Sequence, residues 1–463
     1  MPVTPDVSRL SDLLACPRCD KAPLTRKSDS WRCDGCKTGF PSVGGIPWLF
    51  ADPGASLSEW RNRLHFELQR LAHDAQQLKS ELDAGDLLPQ TRKRLELQLQ
   101  ASVGHRKALQ RLLTPIDVQS MQASYESHLA LRTRLPRDQG LNTYYANAHR
   151  DWAWGEAENE ASLIEIRGAL NARGDRGEEL GNTLVLGAGA GRLAYDVHTT
   201  CNADLTVALD FNPLLLLIAK AVTQGEPLEL HEFPIAPKSI DDFAVLRKLA
   251  APASLGDNFY FVLGDVLRAP FRPGGFDTVV TPWLIDIVSE DLQPLALRIN
   301  RLLKIGGRWV NFGSLAFEHA ERARRYGPEE TISIVQQSGF AAPYVREETI
   351  PYMCSPASRH GRRETVFTFA AVKASDALPS PRHRALPDWI VTGSEPVPLT
   401  RSFRTQALST QIYSYIMSLI DGRRSIADMA KILEQQKLMT EAEAVPAIRN
   451  FLTRMYDDSQ RQA

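Results

Sequence analysis

From Leu64 the apolar positions fall at Leu64, Leu68, Leu71, Ala75, Leu78 and Leu82, alternately four and three residues apart. That spacing draws one stripe down a helix. The run 83–89, with its glycine and proline, breaks the pattern, and Leu95, Leu99, Val103, Leu109 and Leu113 mark a second helix that stops before Pro115. Together they predict a helical hairpin over 58–114, serving as a spacer, as an arm for homodimerisation or as a packed accessory element. Farther on the pattern changes. Short apolar runs at 183–186, 205–209, 259–263, 276–281, 308–312 and 365–372 read as strands, with helical spacings between most of them. The alternation predicts a doubly wound, Rossmann-like α/β domain over 140–374. After a proline-rich stretch, 377–398, three helical faces follow: Ile412, Ile416, Leu419 and Ile420; Ile426, Met429, Ala430 and Leu433; Val445, Ile448, Leu452 and Met455. They predict a small helical domain over 399–457.

Composition adds bounds. The 463 residues are about three times a usual domain, which suits this division. Lysine plus arginine number 54 against 55 aspartate plus glutamate. A net charge of -1 gives no overall field for a polyanion, so nucleic acid is not the expected partner unless through a local basic face. Hydrophobic residues at 43% and charged residues at 24% describe a globular chain, and no window approaches the roughly 18 apolar residues of a bilayer span. Residues 1–14 lack the basic-then-apolar layout of a secretory signal, so a reducing, cytoplasmic location is the expectation.

The six cysteines are unevenly placed. Cys16-x2-Cys19 and Cys33-x2-Cys36 crowd the first 40 residues, while Cys201 and Cys354 stand alone. Two such knuckles turn four thiolates toward one point, the donor set that tetrahedral Zn2+ favours. Pro17 and Gly35 sit inside the knuckles, and Trp31, Phe40, Ile46 and Trp48 offer apolar cover for a small ribbon over 8–52. Two disulfides are the alternative, disfavoured by the absence of an export signal. Four thiolates leave no open coordination position, so this zinc is expected to be structural.

A nucleotide pocket is legible in the α/β segment. An apolar strand at 184–186 runs into Gly187-Ala-Gly189-Ala-Gly191 and then a helix, and the glycines remove side chains where a backbone must approach a ligand. Such a turn also serves nicotinamide cofactors. Asp210, about twenty residues on at the end of the next strand, can accept hydrogen bonds from both hydroxyls of a ribose. Gly264-Asp265 closes a third strand, where an acid can hold the exocyclic amine of adenine. The G-x-G-x-G spacing and the strand-terminal Gly-Asp favour S-adenosyl-L-methionine over nicotinamide.

Several segments between Tyr144 and Lys373 then point to one family. His149-Arg150-Asp151-Trp152 followed by Gly155-Glu156, the glycine turn through Arg192-Leu193, Leu284-Ile285-Asp286, and the run from Leu302 through Gly306-Gly307-Arg308-Trp309 to Gly313 carry the likeness. The segment resembles the carnosine N-methyltransferase family, a class I S-adenosylmethionine-dependent group that methylates an imidazole nitrogen of a histidine-containing dipeptide. The resemblance implies that Arg150 reaches the methionine carboxylate of the cofactor, with Asn147 one helical turn before it. It places Asp265 and Val266 on the cofactor, Asp286 on the substrate imidazole and Tyr352 among the late substrate contacts. A family histidine falls where this chain has Glu318 beside His319, so either side chain is a candidate for that role, and Asp210 stands where the family has glutamate. A carboxylate on one ring N–H fixes the imidazole tautomer and leaves the other nitrogen free to attack.

The ends of the chain have likenesses of their own. Residues 14–50 resemble the zinc-binding activator subunit of tRNA and protein methyltransferases, here fused to an enzyme. Residues 399–457 resemble the peptide-binding chaperone of pyrroloquinoline quinone biosynthesis, a small winged-helix-like fold. The sequence therefore predicts an N-methyltransferase for a carnosine-like or histidine-derived small molecule or peptide, bound to S-adenosyl-L-methionine and structural Zn2+. A protein or tRNA methyltransferase, and a non-catalytic binding protein of the same fold, are the alternatives. The interval 223–258 is expected to cover the acceptor.

Overall fold

The computed structural model describes residues 8–118, 141–172, 177, 179–288, 290–319, 321–377 and 396–462, with the side chains of 141–144, 402, 454 and 456–462 left aside. Tyr144 as a side chain, residues 1–7 and most of the proline-rich stretch therefore lie outside the described residues. The chain forms two units, Met1–Ala385 and Leu386–Ala463.

In the first unit a single helical turn (Ser8–Ser11) precedes four short strands: β1 (Thr25–Lys27), β2 (Ser30–Arg32), β3 (Gly39–Val43) and β4 (Ile46–Leu49). The helices α1 (Pro53–Asp83) and α2 (Pro89–Leu112) make the hairpin, each opening on a proline whose missing N–H costs nothing at a helix start. Next come α3 (Leu141–His149), a π-helical turn (Arg150–Trp154) and α4 (Glu156–Asn171). The wound segment contains β5 (Glu179–Leu186), α5 (Arg192–Thr200), β6 (Asn202–Asp210), α6 (Pro213–Thr223), β7 (Leu228–Glu232), β8 (Val245–Leu249) and β9 (Phe259–Gly264). It ends with β10 (Phe276–Pro282), α7 (Leu292–Leu302), β11 (Leu303–Phe312), α8 (Pro328–Gln337), β12 (Tyr344–Tyr352) and β13 (Arg362–Val372).

The strands order as β1-β2-β3-β4-β9-β6-β5-β10-β11-β13-β12 in one sheet. From β9 to β11 all neighbours are parallel, and β13 and β12 close the far edge antiparallel. The order runs outward in both directions from β5, so the fold is a Rossmann-like doubly wound α/β sheet with a topological switch between β5 and β10, where such sheets open a crevice for ligands. Helices cover both faces. Leu184, Val207, Val279 and Trp309 pack with α7 on one side, and Val185, Ala208, Val280 and Val310 with α4 and α5 on the other. Helix α6 is buried along nearly its whole length; Asn212 caps it by accepting from the Leu214 N–H at 3.0 Å, and Pro213 opens it.

The cysteine-rich ribbon expected over 8–52 is joined to the sheet. Strand β4 pairs parallel with β9, Trp48 opposite Leu263 and Leu49 opposite Gly264. Trp48 and Leu49 are fully buried. The helical hairpin is likewise packed into this unit, since Trp60, Leu64, Leu68 and Leu71 share a core with Trp152 and Leu214. That part of the stripe read from the sequence is used within the chain. In α2 the inward positions include Ser102 and His105, while Val103 is 40% exposed. Among the described residues no helix is long and apolar enough to cross a membrane.

The second unit contains α9 (Arg401–Ser418), α10 (Ile426–Gln435) and α11 (Glu441–Gln462), closed around Ile416, Met429, Ala430, Leu433 and Ile448. Ser425 and Asp428 form a reciprocal capping box on α10. Three helices were expected; a winged-helix arrangement would also need strands, and there are none among this unit's described residues.

Candidate functional site

A cavity of about 840 Å³ opens at the carboxyl ends of β5, β6, β9 and β10. Its floor is the glycine turn after β5. Gly187 and Gly189 line it with φ of 71° and 58°, a left-handed region that side chains resist. A Cβ at Gly187 would stand 2.7 Å from Leu284, whereas one at Gly189 would project into open space. Gly191 is outside the cavity wall: its φ of 87° and the Ala219 methyl 3.0 Å from a built Cβ make it a packing position between α5 and α6.

Asp210 ends β6 at the cavity edge. Its Oδ2 accepts from the Gly189 N–H and its Oδ1 from the Asn212 N–H, both at 2.8 Å, so the carboxylate braces the turn it faces. Burial pushes its pKa up to about 6, against the pull of those backbone donors. Asp265 and Val266 follow β9 on the same wall, and Asp265 Oδ1 accepts from the Leu267 N–H at 2.9 Å.

The segment after α3 supplies the opposite wall. A π-helical turn is closed by the Gly155 N–H donating to the Arg150 carbonyl at 2.8 Å. A Cβ at Gly155 would collide with that carbonyl oxygen, so the turn demands glycine there. Trp152 donates from Nε1 to the Ala190 carbonyl at 2.7 Å, which docks the turn onto the glycine loop. Arg150, with Asn147 beside it, faces the cavity. Its guanidinium meets Asp151 at 2.7 Å and Glu158 at 3.1 Å. Burial works against the arginine's charge, but the two carboxylates outweigh it and raise its pKa. Burial raises the Glu158 pKa, and Arg150 opposes the shift.

Asp286 lies in the turn after β10, 7% exposed. Its Oδ2 accepts from the Ser314 hydroxyl and from the Ala316 N–H at 3.0 Å, both in the loop after β11. Beside it Trp283 holds a φ of 49° and packs against Tyr352, ring centroids 4.8 Å apart and planes tilted by 55°. Burial raises the Tyr352 pKa, and the guanidinium of Arg362 lies 4.5 Å over its ring. Glu318 and His319 both line the cavity; the His319 Nδ1 accepts from the Glu321 N–H at 3.1 Å. Every cofactor or substrate residue expected from the sequence except Gly191 thus meets in one cavity. Asp151, Glu158, Trp283 and Ser314 were missed. The first two sit in or beside the Arg-Asp-Trp motif and could have been found as acids near its arginine. Nothing in the local pattern marks Ser314 as the support of Asp286, 28 residues away.

The other expected site is also assembled. The Sγ atoms of Cys16, Cys19, Cys33 and Cys36 lie within 4.8 Å of one another, Cys16 to Cys36 at 3.6 Å and Cys19 to Cys33 at 3.4 Å. Zn–S bonds of about 2.3 Å place tetrahedral sulfurs roughly 3.8 Å apart, so the donor set fits zinc.

Comparison with known proteins falls on the wound segment. Residues 139–360, a little under half the chain, match the family model described as Carnosine N-methyltransferase. The Mus musculus carnosine N-methyltransferase is 27% identical over 225 residues, covering 43% of this chain and 54% of the relative. The Dictyostelium discoideum carnosine N-methyltransferase is 26% identical over 152 residues, 29% of this chain and 32% of the relative. The chain therefore matches about half or less of the length of these curated relatives. Among solved structures, a Haemonchus contortus phosphoethanolamine N-methyltransferase 2 in complex with S-adenosyl-L-methionine aligns over 53% of this chain and 60% of its own, at 17% identity and a TM-score of 0.33. A likeness of that size lends no weight of its own.

Proposed function

We propose that the chain is an S-adenosyl-L-methionine-dependent N-methyltransferase that methylates an imidazole-type nitrogen of a small molecule or peptide, the acceptor being carnosine-like or histidine-derived. The observation that carries this reading is Asp286, a buried carboxylate fixed by Ser314 and Ala316 in the same cavity as the glycine turn and Asp210. The family match and the two curated relatives, named for carnosine methylation, support it.

The residues fit the cofactor. An ionised carboxylate has about four acceptor positions, so Asp210, held by the backbone of Gly189, Phe211 and Asn212, keeps one for a ribose hydroxyl. The open space over Gly189 leaves room for the sugar, and Asp265, on the same cavity wall, would hold the adenine amine. Arg150 keeps N–H bonds to spare for a carboxylate, while Asp151 and Glu158 suit the ammonium of the same amino-acid end. When bound, the cofactor supplies an electrophilic methyl group on a sulfonium. Toward the acceptor, Asp286 Oδ1 takes the ring N–H and so selects the tautomer whose other nitrogen carries the lone pair. That nitrogen needs orientation rather than a strong base, and its ring proton leaves to Asp286 once the new N–C bond has formed. Trp283 and Tyr352 form the aromatic side of this chamber, and Glu318 or His319 stands ready to pass the proton outward.

We assign the four-cysteine cluster to structural Zn2+, whose role is to hold the strand that abuts β9. An Asp286→Ala variant tests the catalytic assignment. Turnover is expected to vanish while S-adenosylhomocysteine binding by calorimetry stays unaltered; loss of both together removes Asp286 from the acceptor side.

A further inference from the structure

A second cavity of about 550 Å³ lies between the helical hairpin and the wound domain, a size ordinary for a small-molecule site. Its walls hold polar atoms that are cut off from water and bonded to nothing. His105 is 4% exposed and His149 1%, and the ring nitrogen Nδ1 of the first and both of the second make no hydrogen bond of good geometry among the described residues. The Tyr145 hydroxyl and the Trp154 Nε1 atom are in the same condition. All four side chains border the cavity. Buried polar atoms in protein interiors are nearly all bonded, so a cluster of exceptions around one void implies an occupant that bonds them. The helix pattern agrees: α2 turns Ser102 and His105 inward and leaves Val103 40% exposed, the reverse of what packing alone selects.

The wall sets the charge of that occupant. Its formally charged residues are all paired within the protein: Arg70 with Glu67 and Asp74, Glu232 with Arg247 at 2.8 Å, and Arg362 with Glu364 at 2.7 Å. Burial, ahead of neighbouring charge, lowers the His105 pKa to about 4 and that of His149 to about 3, the His231 backbone acting the other way on His149. Both rings are therefore neutral at pH 7. An ionic ligand would find no free counter-charge here, which leaves an uncharged one. Hydrogen-bonding capacity narrows it further. Trp154 only donates, each neutral imidazole donates once and accepts once, and Tyr145 does both. Ser355 and Ser358 already accept, from the Ala357 N–H at 3.3 Å and the His360 N–H at 2.9 Å, and keep hydroxyl protons to give. The occupant must bring carbonyl-type acceptors for these donors and an N–H for an imidazole nitrogen. The wall is also aromatic: His105 meets Tyr145 and Phe233 edge to face, with centroids 5.2 and 5.6 Å apart, and Tyr145 meets His149 the same way at 5.2 Å. A flat ring extends such a set.

We propose that this cavity is a second ligand site, distinct from the transfer site, for an uncharged planar nitrogen heterocycle carrying an N–H beside a C=O, as pyrimidine and purine lactams do. Its carbonyl supplies the acceptor that Trp154 lacks, and its N–H the donor that an imidazole nitrogen lacks. The hairpin thereby gains a binding role, and Phe233 to Ile235 from the 223–258 interval complete the wall. The inference stands whatever atom the first cavity methylates.

The test is calorimetry on the full chain with uracil and hypoxanthine as probes, in the absence and presence of saturating S-adenosylhomocysteine. At least one base should bind, with an affinity that the cofactor product leaves within a few-fold. Tyr145→Phe and Trp154→Phe, which remove groups bonded to nothing within the protein, should each weaken it about tenfold. 1,3-Dimethyluracil, the same ring without an N–H, should bind about tenfold more weakly than uracil to the unaltered protein, and N-acetylglycinamide, an amide without a ring, more weakly still. No binding of either base at millimolar concentration overturns the site. Displacement by S-adenosylhomocysteine, or binding untouched in both variants, puts the bases elsewhere and overturns it equally. Dimethyluracil or N-acetylglycinamide binding as well as the bases overturns the ligand class.

Discussion

Asp210 offers a quantitative handle on the cofactor assignment, because its carboxylate is buried, braces the glycine turn and titrates near about pH 6. The folded pKa is raised above the ordinary value of 3.8. Folding therefore favours the protonated form, and the stability this group contributes is present at low pH and lost as pH rises through about 6; holding the charge at pH 7 costs about 3 kcal/mol. Ribose hydroxyls donate to the carboxylate, so binding has the opposite preference and needs the ion. Above pH 6 the site is ready. Below it each unit removes about tenfold of the ready form, so S-adenosylhomocysteine affinity should fall roughly tenfold between pH 7 and pH 5, about 1.4 kcal/mol. Calorimetry across pH 5–8 measures this directly. Asp210→Asn isolates the cause: it should bind about 10–100-fold more weakly at pH 7, the worth of one charge-assisted hydrogen bond, and lose the acid limb. A flat profile in wild type, or an acid limb that survives in Asp210→Asn, refutes the reasoning.

Gly155→Ala should destabilise the fold by about 1–3 kcal/mol by forcing a methyl group against the Arg150 carbonyl, and should weaken S-adenosylhomocysteine binding as Arg150 shifts; a thermal melt and titration matching wild type would remove the π turn from the argument. Chelation of zinc, or Cys33→Ser, should lower the melting temperature and cofactor affinity together, because β4 lies beside the Leu263-Gly264 end of β9; retained affinity in a metal-free sample contradicts this coupling. His105 and His149 have folded pKa values below their unfolded 6.5, so the unfolded chain binds more protons and stability falls as pH drops from about 6.5 toward 4 and 3. Denaturant titrations of His105→Gln should show a loss between pH 7 and pH 5 smaller than wild type by roughly 2 kcal/mol, and an equal loss counts against its buried neutral state.

The central strands could be read from sequence because each is buried on both faces and appears as an unbroken apolar run, as in Leu184-Val185-Leu186 and Val279-Val280. Strand β12 escaped because it is an edge strand with one mostly solvated face, and Arg346, Glu347 and Glu348 hide its alternation. Strands β7 and β8 pair only with each other in a hairpin of their own, which leaves a weak pattern in an interval read as a covering loop. The glycine turn and Asp210 were legible because their spacing from strand ends fixes their place, whereas Asp286 was singled out through the family resemblance alone. Arg150's partners were less so: Glu158 reaches it from one turn into the next helix and also accepts from the Met353 N–H at 2.7 Å, a contact no local pattern encodes. The second cavity was invisible for a similar reason. His105 on α2, Tyr145 and His149 on α3 and Phe233 after β7 converge only through tertiary packing. The union of the ribbon with the sheet is another such case, since parallel pairing of β4 with β9 spans more than two hundred residues.

The most direct test of the central claim is a methyl-transfer assay with S-adenosyl-L-methionine, wild type and Asp286→Ala, against carnosine, histidine derivatives and a cell peptide extract, with tandem mass spectrometry locating the added group. The expected result is a gain of one methyl on an imidazole nitrogen with wild type and none with Asp286→Ala, the variant binding S-adenosylhomocysteine as wild type does. A wild-type chain that binds the cofactor yet methylates no imidazole, or methylates a different kind of atom, contradicts the account.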